Sequence, residues 1–146
     1  MRAELDNDRP LFLQVKEAIE EEILAGSLGP DDQIPSNSQL VSLYGINPVT
    51  VHKGVTMLLD EGIVYKRRGL GMFVSRNAPA RIRVRYQEAF KNDYVEPLTQ
   101  RAEMLGVTPD ELHALVDESI LAHQPPQASS GIADSAAVKD HTRRKD

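Results

Sequence analysis

Side chains of a type and spacing that could do chemistry are concentrated in two short stretches, Asn47-Pro48-Val49-Thr50-Val51-His52-Lys53 and Arg67-Arg68-Gly69-Leu70-Gly71. In the first, Asn47 followed by Pro48 reads as a helix start. An asparagine side chain can accept from a first-turn amide, and proline is tolerated at the first helical position because its missing N–H would be unpaired there anyway. With Val51, Val55 and Leu58 facing inward, the opposite stripe is Pro48, His52 and Thr56, flanked by Val49 and Lys53. Such a stripe can offer His52 and Asn47 to base edges and Lys53 to a phosphate, while Thr50 lies beside first-turn amides that can meet an anion. In the second stretch, Gly69 and Gly71 let the backbone turn tightly and approach closely. Arg67 and Arg68 then suit a hairpin tip set against phosphates or into a minor groove. The chemistry implied is recognition of a polyanion.

Nothing comparable points to catalysis. His52, His113, His123 and His141 lack metal-ligand spacing, and no nucleophile elbow, P-loop or dinucleotide fingerprint is present. With no cysteine, disulfides, thiolate catalysis and cysteine-held metals are excluded. The expectation is therefore no catalytic residue, no metal, no cofactor and no enzyme. The pairs Asp31–Asp32 and Asp60–Glu61 read as solvated charges. No apolar run is long enough for a membrane span, and the acidic start Met1–Asp8 is no signal peptide, so the expected location is cytoplasmic.

A formal net charge of −5 by itself disfavours a polyanionic partner. The average conceals an asymmetry. Between Leu43 and Arg76 the charged residues are Lys53, Lys66, Arg67, Arg68 and Arg76 against Asp60 and Glu61, whereas acid gathers in Glu17 to Glu22.

The elements around these stretches can be read from periodicity and caps. Leu11, Val15, Ala18, Ile19 and Ile23 form the buried stripe of a first helix that starts near Pro10, carries Glu17 and Glu20 to Glu22 outward, and ends at Gly26. Ser27–Pro35 reads as a loop with room for a short strand at Gln33–Ile34. Ser36 and Gln39 form a capping box for a short helix expected to bury Leu40 and Leu43. The amides of that helix start, with Ser36, Asn37 and Ser38, can clamp a phosphate. Tyr44-Gly45-Ile46 makes a tight turn, and the Asn47–Lys53 helix runs on to Gly62, burying Leu59 as well. Ile63–Lys66 and Met72–Ser75 are strand-like, with Arg67–Gly71 as the turn between them. This order of helix, short helix, tight turn, helix and basic hairpin predicts a winged helix-turn-helix, mainly α with a small β-wing.

Beyond Asn77, two helices are expected, the second capped by Thr108 with Pro109 at its first position. Phe90, Tyr94, Leu98 and Leu105 recur at helical spacing, and Leu112, Leu115, Val116 and Ile120 follow on the second helix. A lone helical pair has little on which to bury Phe90, Tyr94, Leu98 and Leu105, so these are the expected contacts of a homodimer. The domains predicted are a DNA-binding domain at 1–77, a helical dimerisation region at 78–122, and a disordered tail at 123–146 with little to bury.

Leu28 to Val74 resembles the DNA-binding domain of GntR-type bacterial regulators. The resemblance rests on Gln33-Ile34-Pro35-Ser36, Leu40, Tyr44-Gly45-Ile46-Asn47-Pro48, Thr50-Val51, Leu58 to Ile63 and Arg68 to Val74. The Asn47–Val51 segment and the short C-terminal region are similar to the YtrA-type subgroup. The resemblance implies a dimeric regulator of double-stranded DNA, usually a repressor, whose C-terminal helices dimerise and are too small for a conventional effector pocket. An unidentified small effector remains compatible with the sequence, although no residue cluster marks its place. At Ser38 the family usually carries a DNA-contacting arginine, and Gly71-Met72 stands where glycine-threonine is common. The competing reading is a winged-helix protein-interaction module without DNA binding, supported by the net acidity and Ser38.

Overall fold

The structure is a computed structural model that describes Met1 and residues 4–124. The chain forms two compact units, Met1–Thr99 and Gln100–Asp146, the second described as far as Gln124. The part of the expected tail from residue 125 on lies outside the described residues.

In the first unit, helix α1 (Leu11–Ala25) ends at Gly26, whose φ of 84° places it in the left-handed region. Helices α2 (Asn37–Tyr44) and α3 (Pro48–Asp60) follow, joined through Gly45 at φ 63°. Strands β1 (Val64–Arg67) and β2 (Gly71–Val74) make an antiparallel hairpin in the register Val64↔Val74 and Tyr65↔Phe73. Gln33 adds a single bridge to Phe73, the extent of the strand foreseen there. Helix α4 (Ala78–Phe90) passes into a π-helical turn at Lys91–Val95 and then α5 (Glu96–Met104). In the second unit, α6 (Pro109–His123) begins with a capping box formed by Thr108 and Glu111. Among the described residues no helix is long and apolar enough to cross a membrane.

The core joins Val15, Ile19 and Ile23 of α1 to Leu40 of α2, Val51, Val55 and Leu58 of α3, Val64 and Val74 of the hairpin, and Ile82 of α4. Helices α1 and α3 approach closely at Gly54, where a Cβ would lie 2.6 Å from the carbonyl oxygen of Phe12. Two apolar expectations change. Leu43 is half exposed, because α2 leans on the core through Leu40 with Val41 and Tyr44, and Leu43 projects from the other side of Leu40. Leu59 is only partly buried, at the margin of the same core.

Glu20 is the larger correction. Its carboxylate was expected to face water but is 1% exposed. It pairs with Lys16 at 3.4 Å and accepts from the Arg85 guanidinium of α4. Both cations also reach Glu61, Lys16 at 2.7 Å and Arg85 at 3.1 Å, while Arg81 donates to the Glu61 carbonyl oxygen at 2.6 Å. The periodicity of α1 could not anticipate this, because Arg85 arrives from α4 and only Lys16 lies on α1 itself.

Candidate nucleic-acid interface

The helix-turn-helix is built from local caps. The Gln39 amide donates to Ser36 Oγ at 3.1 Å and the Ser36 amide to Gln39 Oε1 at 2.8 Å, completing the capping box. The Ser36 hydroxyl is thereby engaged in its own helix. Asn47 Oδ1 accepts from the Val49 amide at 2.8 Å, so this oxygen caps α3 while its amide group is not used in that bond. Pro48 occupies the first turn, and Val49 next to it is 74% exposed, an apolar side chain left in water at the start of α3. Thr50 is half-buried and Ser38 exposed.

Three side chains meet between α2 and α3. Asn37 Nδ2 lies 3.3 Å from His52 Nδ1, and Thr56 Oγ1 lies 3.4 Å from His52 Nε2. Lys53 points elsewhere. Its Nζ sits 3.9 Å above the ring centroid of Phe12, a cation–π contact that holds the ammonium beside α1. Phe12 is a partner that spacing within α3 could not reveal.

The hairpin differs slightly from expectation. Arg67 belongs to β1 and pairs with Gly71, so the turn contracts to Arg68-Gly69-Leu70. The Leu70 amide closes it on the Arg67 carbonyl oxygen at 3.0 Å. Gly69 at φ 76° and Gly71 at φ 126° occupy backbone that L side chains rarely adopt. Gln33 braces the tip by donating from Nε2 to the Leu70 carbonyl oxygen at 2.7 Å. The Arg67 guanidinium lies 5.3 Å from the Phe73 ring centroid, which also stacks with Tyr65 at 5.9 Å. Arg68 is exposed.

At the base of the hairpin Asp31 adopts φ 65°, accepts from the Tyr65 hydroxyl at 2.8 Å, and takes the Arg76 guanidinium at 3.3 Å. The tyrosine hydrogen bond, then Arg76, holds this carboxyl below the usual aspartate range, and the Asp31 carboxylate correspondingly pushes the Tyr65 hydroxyl up. This anchor and the Gln33 brace were not foreseen, since both come from the loop before α2. Among the described residues no group of three or more His, Cys, Asp or Glu side chains could hold a metal ion.

The stripe of Phe90, Tyr94 and Leu98 in the first unit is 59%, 67% and 44% exposed, and Leu105 in the second is 69% exposed. Phe90 and Tyr94 contact each other at 5.8 Å between ring centroids.

Residues 11–74 match the pattern described as "Bacterial regulatory proteins, gntR family". The histidine utilization repressor of Klebsiella aerogenes is 38% identical over 66 residues, 45% of this chain and 27% of that protein. The chain thus spans about a quarter of the length of that relative. The HTH-type transcriptional repressor YtrA of Bacillus subtilis is 30% identical over 109 residues, 75% of this chain and 83% of YtrA, a span longer than the family pattern itself. A crystal structure of a GntR-family transcriptional regulator from Bacteroides thetaiotaomicron superposes with a TM-score of 0.66 at 25% identity, covering 78% of this chain and 99% of that one. The chain belongs to the GntR family of bacterial regulatory proteins.

Proposed function

We propose that this chain is a cytoplasmic, sequence-specific DNA-binding transcription repressor that engages a pseudo-palindromic operator as a two-fold homodimer. Residues 1–77 serve as the winged DNA-binding domain and 78–122 as the dimerisation region. The reading extends to this chain what the names of the Klebsiella protein and YtrA say of those proteins. The observation that carries it is a capped, solvent-facing start of α3 together with a hairpin whose basic tip is braced by Gln33.

Asn47, Pro48, Val49, Thr50 and His52 line the face of α3 that enters a major groove, with His52 setting the preference among sequences. Val49, being apolar and exposed, suits a thymine methyl. The start of α2, at Ser36, Asn37 and Ser38, lies against the backbone. Lys53 exchanges the Phe12 ring for a phosphate or stays over the ring while facing one. Arg67 and Arg68, with Gly69 and Gly71, carry the wing to the phosphates or minor groove. Phe90, Tyr94, Leu98 and Leu105 are assigned to the dimer interface because they are large, apolar and exposed on the single chain.

Binding to fluorescent genomic fragments across a salt series tests the assignment. Log affinity should fall linearly with log salt, and Arg67→Ala/Arg68→Ala together should flatten the slope by up to about 2, near 0.9 for each phosphate left without its arginine. That double substitution should weaken all sequences alike, roughly tenfold, whereas His52→Ala should change the preference among sequences. No binding at low salt would overturn the proposal and favour a protein-interaction module. Sedimentation at micromolar concentration should give a dimer, and Tyr94→Glu should yield monomers; a wild-type monomer would remove the two-fold assignment.

A further inference from the structure

Asn37, His52 and Thr56 form a chain of polar side chains that spans the turn between α2 and α3, and helix capping does not require it. Asn37 is the first residue of α2, and its cap is already supplied by Ser36 and Gln39. His52 and Thr56 are one turn apart on α3, on the stripe opposite the buried Val51, Val55 and Leu58. The atoms set a direction. Asn37 Nδ2 can only donate, so His52 Nδ1, 3.3 Å away, must accept. A neutral imidazole with an accepting Nδ1 carries its proton on Nε2, and that nitrogen faces Thr56 Oγ1 at 3.4 Å. The Thr56 oxygen then receives this proton's hydrogen bond, leaving its own hydroxyl proton free to point away from the ring.

We propose that these three side chains form one base-reading unit, resting on the DNA-binding reading above. In it Asn37 is a positioning residue that holds His52 as the Nε2–H tautomer, and Thr56 is a specificity-determining residue. The unit presents the Thr56 hydroxyl as a donor, which fits acceptor edges in the major groove, N7 or O6 of guanine and O4 of thymine. Without Asn37 the ring is free to turn, and Thr56 no longer has a fixed polarity. The reader of this protein is therefore assembled from both helices of the motif rather than from α3 alone.

Two measurements on the full chain decide this. The first is selection from duplexes of randomised sequence, using wild type, Asn37→Ala, His52→Ala, Thr56→Val and the Asn37→Ala/Thr56→Val pair. The single substitutions should change preference at the same base pair, each by about tenfold, the scale of one mismatched base pair. The pair should cost little more than either single change, as for members of one network. Asn37→Ala acting at a different base pair, or weakening all sequences equally, would overturn the unit while leaving DNA binding intact. A wild type that binds but selects no sequence would overturn both.

The second is the long-range proton–nitrogen spectrum of the histidine rings under conditions where they are neutral. Wild type should show His52 protonated at Nε2. Asn37→Asp offers only acceptors and should move the proton to Nδ1, a change that a merely structural role for residue 37 would not produce. A wild-type His52 protonated at Nδ1 would overturn the tautomer assignment. Thermal unfolding of each variant separates these effects from loss of fold.

Discussion

Gly54→Ala should lower the unfolding free energy by about 2 kcal/mol and the melting temperature by roughly 10 °C, although alanine is the better helix former. In an exposed helix interior the exchange would stabilise by about 1 kcal/mol, because glycine loses more backbone freedom on folding. Gly54 is buried in the middle of α3, and an added Cβ would meet the Phe12 carbonyl oxygen at 2.6 Å and Val15 Cβ at 3.3 Å. A backbone oxygen cannot rotate away as a side chain can. Helices α1 and α3 must separate by several tenths of an ångström, loosening the packing of Val15, Val51 and Val55, and overpacking of this kind costs about 1–3 kcal/mol. Circular dichroism melts of wild type and variant measure it. A rise in melting temperature would mean that the two helices have slack at this crossing.

Arg85→Ala is expected to cost about 2 kcal/mol at neutral pH, below the 3–5 kcal/mol of a fully buried pair because the arginine is 40% exposed. Its removal leaves Glu20, nearly dry, with Lys16 alone. The loss should shrink in acid. Burial, outweighing the attraction of Arg85 and Lys16, holds the Glu20 carboxyl above its ordinary 4.5. A carboxyl raised on folding contributes stability that is fully present below the unfolded value and is lost as pH rises through the folded one. Glu61 runs the other way. Although burial pushes it up, the hydrogen bonds and charges of Lys16 and Arg85 together hold it below 4.5, so its contribution is present above the unfolded value and lost as pH falls through the folded one.

Glu20→Gln isolates the first of these opposing slopes. Relative to wild type it should gain stability as pH is raised from about 4 to 7, because the substituted amide cannot ionise. In the same series, combining it with Arg85→Ala should recover part of the loss seen in Arg85→Ala alone. Urea melts at several pH values measure both effects. A penalty for Arg85→Ala that did not vary with pH would show that packing of the guanidinium stem, rather than the charge on Glu20, sets the cost.

What could be read from the residues depended on how far apart the interacting groups lie in the chain. Caps are local chemistry, and Ser36 with Gln39, Asn47 with Pro48, and Thr108 with Glu111 all stand where their types and spacing place them. The α1 stripe, fifteen residues long, has enough turns to identify its buried side. Helix α2 has eight residues, too few for periodicity to choose between Leu43 and Val41 as the companion of Leu40. The ends of the hairpin shifted by a residue because Arg67 suits both a strand and a turn. Glu20, Lys53 over Phe12, the Gln33 brace and the Asn37–His52 pair depend on partners from other elements, and no spacing within one helix encodes them. The π-turn at Lys91–Val95 was equally hidden, since no residue type in that stretch marks an i→i+5 turn.

Glu61 closes α3, and its consequence is mechanical. Its carboxylate takes Lys16 of α1 and Arg85 of α4, and its carbonyl oxygen takes Arg81, one turn before Arg85. Two attachment points a turn apart resist twisting of α4 about its own axis as well as sliding along it. Within Met1–Thr99 a torque on α4 is therefore delivered to the trailing end of α3 with no loop between to absorb it. The helix that would carry the partner surface and the helix that would face the groove are thus tied together at one residue, Glu61.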